Sequence, residues 1–258
     1  MMPRTVALFS LGGAPGVTCA AMALAAVWPG EAGAVLVETD ASGGDVATWR
    51  RLQPDPGLTG LAAAARHGGA SADLAAHTQI LPGGLSVCHA PVTADRAEGA
   101  VRLLAQNPGV LVSADGPAVV LDLGRLTPGA SAAALATWAD EALLLVADDL
   151  AQLRRAKEAS EALTRSLPRL RTVVVGGSGN VREIEGALGP GVWGRLPDDA
   201  RSAAFLRGEA NPRKPQRRPL LKAAARLAKD LAEGVRPAEP ADGGGAPAPA
   251  PEATGVHA

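Results

Sequence analysis

Short apolar runs alternate along this chain with longer segments of helical length. The first two runs, residues 5–10 and 34–37, have the length and composition of buried strands. Residues 17–28, between them, are long enough for a helix. Because parallel strands need such a crossover, the beginning of the chain is predicted to be a β-loop-α-β unit.

The same alternation continues to the end of the apolar pattern. Further strands are predicted at residues 85–89, 118–123, 142–147, 171–175 and 192–196. Further helices are predicted at residues 58–66, 94–106, 131–138, 149–166, 182–188, 198–207 and 219–233. Strands repeatedly separated by helices predict a single α/β domain, with a doubly wound, mostly parallel sheet flanked by helices.

The composition changes sharply after residue 235. Residues 236–258 are rich in Pro, Ala and Gly, and such a segment cannot bury enough apolar surface to offset its ordering entropy. We therefore expect one domain over residues 1–235, followed by a disordered tail. No apolar run reaches the roughly 18 residues that a membrane span requires, so the protein is expected to be soluble.

The charge and the cysteines limit the functional classes. The formal net charge is −1, which gives no general reason to expect DNA or an acidic membrane as the main partner. The basic cluster from Arg213 to Arg218 is interpreted as a solvated linker, with contact to anionic lipid or DNA as the alternative. The two cysteines cannot form a disulfide framework, and they fit a reducing cytoplasm.

A glycine-rich segment lies between the first predicted strand and the first predicted helix. Residues 11–18 read Leu-Gly-Gly-Ala-Pro-Gly-Val-Thr. In a phosphate loop, backbone N–H groups surround phosphate oxygens, a lysine neutralises them and a Ser or Thr hydroxyl holds Mg²⁺. The candidate nucleotide-binding residues here are Gly12, Gly13, Ala14, Pro15, Gly16, Val17, Thr18 and Cys19.

This segment, followed by an alanine-rich helix, resembles the deviant phosphate loop of ParA/MinD ATPases. In that family one lysine stands at the place of Gly12 and reaches the partner's nucleotide across a dimer. A second lysine stands at the place of Val17. The resemblance therefore implies a P-loop NTPase-like fold with a degenerate Walker A motif, with weak or absent hydrolysis and with ATP and Mg²⁺ as ligands.

Two acidic segments extend the resemblance. Residues 35–45 resemble the family segment that ends in D-x-D-P-x-G-G-D, which implies that Asp40 orients the attacking water and helps hold Mg²⁺. Glu38 stands at the first acidic position of that family segment. Residues 118–122 have the form of a Walker B strand, so Asp122 is implied to contact Mg²⁺ through water. The implied metal residues are Thr18, Asp40 and Asp122, although each aspartate taken alone could equally cap a turn or a strand end.

The resemblance covers residues 5–233. Near its end, Pro197 and Asp198 resemble the family's late loop beside the adenine. Within the family, the chain is most similar to divergent members of the CpaE/TadZ kind, which accompany pilus assembly and secretion.

Three functions remain open at this stage. The first is a cytoplasmic positioning or scaffold protein, serving pilus assembly, secretion or partitioning. It would act through protein partners, as a homodimer or at the inner membrane through those partners. The second is an active MinD-like ATPase in which an arginine such as Arg125 or Arg154 replaces the lysines. The third is a nucleotide-free interaction module.

Overall fold

An eight-stranded sheet runs through the computed structural model, which describes residues 5–13, 15–66, 73–113, 115–177, 184, 186, 188 and 192–234. The strands are β1 Thr5–Ser10, β2 Ala34–Glu38, β3 Gln79–Ile80, β4 Ser86–Cys88, β5 Ala118–Arg125, β6 Glu141–Ala147, β7 Leu170–Val175 and β8 Val192–Leu196. Their order is β3-β4-β2-β5-β1-β6-β7-β8, and only the β3–β4 pair is antiparallel. The predicted α/β fold with a mostly parallel sheet is confirmed.

Helices cover both faces of this sheet. They are α1 Val17–Ala26, α2 Val46–Arg50, α3 Leu58–Arg66, α4 Ala94–Gln106, α5 Ser131–Trp138, α6 Leu150–Ser166, α7 Ala200–Arg207 and α8 Pro219–Ala232. The bounds of α3, α4 and α5 agree with the predicted ones. The sequence pattern missed β3 and α2, because two and five residues are too few for a periodicity to show. The predicted helix 182–188 lies largely outside the described residues, and the predicted tail lies wholly outside them.

Alternating side chains of the sheet supply two cores. In β1, Ala7 and Phe9 pack on the face covered by α3, α4 and α5, whereas Val6 and Leu8 pack against α1 and α8. This is the period of two that a strand imposes on its side chains. Because both faces of β1 are covered, all six of its residues are buried.

The path of the chain reverses direction across the sheet at β1. The strand β5 pairs with one edge of β1, and β6, the next strand in sequence, pairs with the other. Loops that follow the carboxyl ends of strands at such a reversal surround a crevice, where open α/β sheets bind their ligands. The glycine-rich segment after β1 lies at this crevice.

In the part of the chain that the structure describes, no helix combines the length and the apolar character needed to cross a bilayer.

Candidate functional site

The glycine-rich segment forms the predicted bend between β1 and α1. Gly16 adopts a left-handed conformation (φ 78°, ψ 42°) just before α1, and no side chain caps the helix there. The first turn also carries no acidic residue. Within the described residues, the N–H groups at the start of α1 therefore have no side-chain acceptor, and a helix start of this kind attracts anions. Ala14 lies outside the described residues.

The two positions at which the resemblance implies a lysine have different surroundings. Val17 is buried in the core between the sheet, α1 and α8, so it adds no charge to the loop. Gly12 is also buried, and a Cβ at this position would overlap the guanidinium of Arg155, with 2.7 Å to Cζ. A lysine at position 12 would therefore compete with Arg155 for the same space.

The side chain of Asp122 is fully buried within β5, beside Thr18 at the start of α1. Its Oδ1 accepts a hydrogen bond from the Gly124 N–H at 3.0 Å. Its Oδ2 is buried with no donor at hydrogen-bond distance among the described residues. Burial raises the pKa of Asp122 to about 7, although interaction with the Thr18 hydroxyl opposes the rise. A buried carboxylate oxygen without a partner is a costly feature, and a bound cation would offset that cost.

Asp40 lies on the neighbouring loop. Its Oδ1 accepts from the backbone N–H of Ser42 at 2.8 Å and from the Ser42 hydroxyl at 2.6 Å. Its Oδ2 lies against Gly124, two residues beyond Asp122, so that a Cβ on Gly124 would overlap it. Asp40 is therefore a turn cap and is also close to Asp122. Its catalytic role stays a prediction.

Glu38 has a different role from that of a ligand. Its Oε1 accepts from the N–H groups of Asp45 and Val46 at 2.9 and 3.0 Å, and its Oε2 accepts from that of Ala90 at 3.0 Å. Burial raises the pKa of Glu38 to about 7, and these hydrogen bonds oppose that rise. Glu38 thus fastens the loop that carries Asp40 to the end of β4.

The donor set was tested for its fit to Mg²⁺. Among the described residues, no group of three or more His, Cys, Asp or Glu side chains is placed to hold a metal ion. Thr18 and Asp122, with Asp40 nearby, provide only oxygen ligands, and the buried Oδ2 of Asp122 has no hydrogen-bond partner in the described part of the chain. Mg²⁺ characteristically uses one or two protein oxygens together with phosphate and water. The residues therefore fit Mg²⁺ that arrives with a phosphate ligand.

A cavity of about 400 Å³ continues from the loop. Pro15, Gly16 and Cys19 line one side, and Pro197 and Asp198 line the other. The structure thus brings the predicted late loop and the predicted phosphate loop to the same cavity, although they are far apart in sequence. A volume of this size is typical of small-molecule sites.

The basic cluster from Arg213 to Arg218 needs one correction. Arg213, Lys214 and Arg217 are exposed, as expected for a solvated linker. Arg218 instead donates to Oδ1 of Asp199 at 3.1 Å, and its Nε is buried. The sequence did not reveal this pairing, because it joins the start of α8 to the residue before α7.

Asp199 is expected to contribute to stability in a pH-dependent way. Burial raises its pKa, but hydrogen bonds from the Ser202 hydroxyl and N–H and from Arg218 lower it to about 2. The stability that this carboxylate adds is therefore present above its unfolded-state pKa of 3.8 and lost as the pH falls from about 4 to about 2.

Replacing Asp199 by Asn should lower the free energy of unfolding by about 1–2 kcal/mol at pH 7, since the ionic partner of Arg218 is lost while an N-cap acceptor remains. Urea unfolding at pH 7 and at several values between 4 and 2 measures this. Between pH 4 and 2, the free energy of unfolding of the variant should also fall less than that of the unchanged protein. The neighbouring exposed Asp198, changed to Asn, is the matched control. Equal stability of the two variants at pH 7 would contradict the role given to the Asp199–Arg218 pair.

Sequence reasoning also missed two side chains beside the loop. Gln152 and Arg155, both on α6, lie against Gly13 and Gly12 respectively. Arg125, one of the two arginines suggested to replace the lysines, donates to the Gly13 carbonyl at 3.5 Å. The other suggestion was Arg154, but Arg155 is the α6 arginine that lies against Gly12. Adjacent helical positions point about 100° apart, so the correct register could be read only from coordinates.

Comparisons with known proteins were made by sequence and by structure. No family model matches the chain, and no curated protein sequence matches it. Solved structures do match. A ParA family ATPase from Chlorobium tepidum TLS is 18% identical with a TM-score of 0.70, and the match covers 88% of this chain and 99% of that one.

Two MinD structures match over similar lengths. The septum site-determining protein MinD from Pyrococcus horikoshii OT3, complexed with Mg-ADP, is 14% identical with a TM-score of 0.71, covering 89% of this chain and 96% of that one. The match to the MinC:MinD cell division protein complex of Aquifex aeolicus has 15% identity and a TM-score of 0.63, covering 92% and 98%. The chain therefore has the fold of the ParA and MinD ATPases.

Proposed function

We propose that this protein is a ParA/MinD-like positioning or scaffold factor that binds Mg-ATP weakly and hydrolyses it slowly or not at all. One observation carries the proposal. The glycine-rich bend after β1 presents an uncapped helix start beside Asp122, a buried carboxylate with one oxygen that has no hydrogen-bond partner among the described residues. Such an arrangement accommodates a phosphate group and its cation.

Each part of the nucleotide has a proposed place. The base and ribose would occupy the cavity between the loop and Pro197 and Asp198. The phosphates would accept hydrogen bonds from the backbone N–H groups at the start of α1. The hydroxyl of Thr18 and the carboxylate of Asp122 would hold Mg²⁺ directly or through water, with Asp40 beside them. When bound, Mg²⁺ neutralises phosphate charge.

The same geometry supports slow hydrolysis. Val17 is apolar and buried where the family has a lysine, so this position cannot stabilise charge that develops on a transferred phosphoryl group. The Oδ1 of Asp40 is already engaged by Ser42. A water-orienting role for Asp40 would have to use its other oxygen.

Saturable binding of ATP in the presence of Mg²⁺ is the expected result of an equilibrium titration, with a dissociation constant on the order of 0.1–1 mM. Changing Thr18 to Ala should weaken binding in Mg²⁺ and have little effect in EDTA, because the hydroxyl acts on the cation. Thr164, which is exposed near the C-terminal end of α6, gives the matched Thr→Ala control. Absence of binding at millimolar ATP would overturn the proposal and favour the nucleotide-free interaction module.

Phosphate release by the purified protein separates the scaffold from the active ATPase. We expect release close to background. Release well above background that disappears in an Asp40→Ala variant would instead establish the active MinD-like ATPase. Activity that survives this change would not belong to the proposed site.

The biological setting is proposed from likeness. The Aquifex aeolicus MinD structure is a complex with MinC, which supports a protein partner for this fold. The resemblance to the CpaE/TadZ kind favours pilus or secretion machinery over partitioning, with the protein in the cytoplasm or at the inner membrane through its partners. Arg218 is paired with Asp199, so the basic cluster has less free positive charge with which to bind lipid or DNA. Light scattering with and without Mg-ATP tests the proposed homodimer.

A further inference from the structure

Two arginines lie beside the first glycines of the loop. The guanidinium of Arg155, on α6, lies against Gly12 on the space that a Cβ would fill. Arg125, at the end of β5, donates to the carbonyl of Gly13 at 3.5 Å. These positions come from different elements, 30 residues apart in the sequence. The fold therefore concentrates positive charge on one part of the loop.

Arg155 lies beside Gln152, which binds the loop. The two residues are three positions apart on α6 and therefore share a face of the helix. With its amide nitrogen assigned toward Gly12, Gln152 donates to the Gly12 carbonyl at 2.8 Å and accepts from the Gly13 N–H at 3.1 Å. A side chain at position 12 or 13 would overlap these two residues, so the glycines permit the first turn of α6 to lie on the loop.

The charge of these arginines is not compensated within the described residues. Arg125 and Arg155 are both exposed, and neither forms an ion pair with a carboxylate in that part of the chain. Exposed guanidinium groups that converge on a backbone bend are well suited to bind phosphate oxygens.

The location of Arg155 identifies the part of the nucleotide that it would meet. The cavity is lined by the later residues of the loop, including Pro15 and Gly16, but not by Gly12 or Gly13. A nucleotide with its base in the cavity would extend its phosphates away from it, toward the start of the loop. Arg155 therefore lies near the expected end of the phosphate chain.

We propose that Arg155 binds the terminal phosphate of a nucleoside triphosphate held by the same chain. It would thereby supply from α6 the positive charge that position 12 lacks. This inference rests on the proposed nucleotide site. Its consequence is a preference for triphosphate over diphosphate that needs no residue from a second copy of the chain.

The test is a set of titrations of the full-length protein with Mg-ATP and Mg-ADP. Arg155→Ala should raise the dissociation constant for Mg-ATP about tenfold, as expected for the loss of one charge-assisted contact. The same variant should change the dissociation constant for Mg-ADP less than about threefold. Arg154→Ala, which removes the neighbouring exposed arginine of the same helix, should change neither. Thermal unfolding of both variants should match that of the unchanged protein, because both side chains are exposed.

The outcomes separate this inference from the proposed function. If the unchanged protein binds Mg-ATP but Arg155→Ala binds it equally well, the role of Arg155 is wrong and the nucleotide site remains. Equal weakening for ATP and ADP would also overturn the inference, because it would place Arg155 away from the terminal phosphate. If the unchanged protein binds neither nucleotide, both proposals fall.

Discussion

Replacing Glu38 by Ala is expected to lower the free energy of unfolding by at least about 3 kcal/mol, because three N–H groups, two of them in buried hydrogen bonds, lose their acceptor together. These are the N–H groups of Asp45, Val46 and Ala90, all within 3.0 Å of the carboxylate. Gly44 also packs against Glu38, because a Cβ at this position would lie 2.6 Å from Oε2. Urea unfolding at pH 7 measures the change.

Two further variants make this result specific. Gln at position 38 keeps one oxygen, which can serve Asp45 and Val46, but it places an NH₂ group against the Ala90 N–H. The Gln variant should therefore lose less free energy of unfolding than the Ala variant. Glu158, exposed on α6, gives the matched Glu→Ala control with little expected effect. A loss below about 1 kcal/mol for Glu38→Ala would show that water can replace the carboxylate.

Replacing Asp122 by Asn is expected to stabilise the fold at high pH and to abolish Mg-ATP binding. Burial raises the pKa of this group to about 7, so its ionisation in the native state is unfavourable. The stability associated with its protonated form is fully present below the unfolded-state pKa of 3.8 and is lost as the pH rises through about 7. An amide does not ionise, so the variant should keep that stability.

The expected gain at pH 8 is on the order of 2–4 kcal/mol, and it should nearly vanish at about pH 3.5, below the unfolded-state pKa. Urea unfolding at the two pH values measures it. Titration with Mg-ATP should show affinity reduced more than about tenfold, because an amide is a poor ligand for Mg²⁺. The exposed Asp230 of α8, changed to Asn, is the control and should affect neither property. A variant that is less stable at pH 8 would show that Asp122 is a structural carboxylate.

For Asp122→Asn, the gain in stability and the loss of Mg-ATP affinity are informative together. A residue retained only for packing would not become more favourable when its charge is removed. A buried charge that destabilises the folded chain, yet is needed for binding a ligand, is characteristic of a functional site. The pH dependence of Asp122 is also opposite in sign to that of Asp199, whose contribution is lost in acid.

The sequence by itself determined the order of the elements and the place of the loop. Apolar runs and helical segments are set by interactions between residues a few positions apart, so strands such as β1 and helices such as α3 could be predicted with correct bounds. The glycines at positions 12, 13 and 16 marked the bend for the same local reason. The aspartates at 40 and 122 were found because each comes after a run of apolar residues.

Only the tertiary structure decided which distant side chains meet. Glu38 was expected as an acidic residue of the site, but its three N–H partners lie on segments that the sequence does not link. Arg218 was counted in a solvated cluster until its pairing with Asp199 was visible. The arginine of α6 that lies at the loop is Arg155 and not the neighbouring Arg154, and the rotation of α6 about its axis decides this. Packing between helices and strands sets these contacts, and a local sequence pattern does not show how those elements pack.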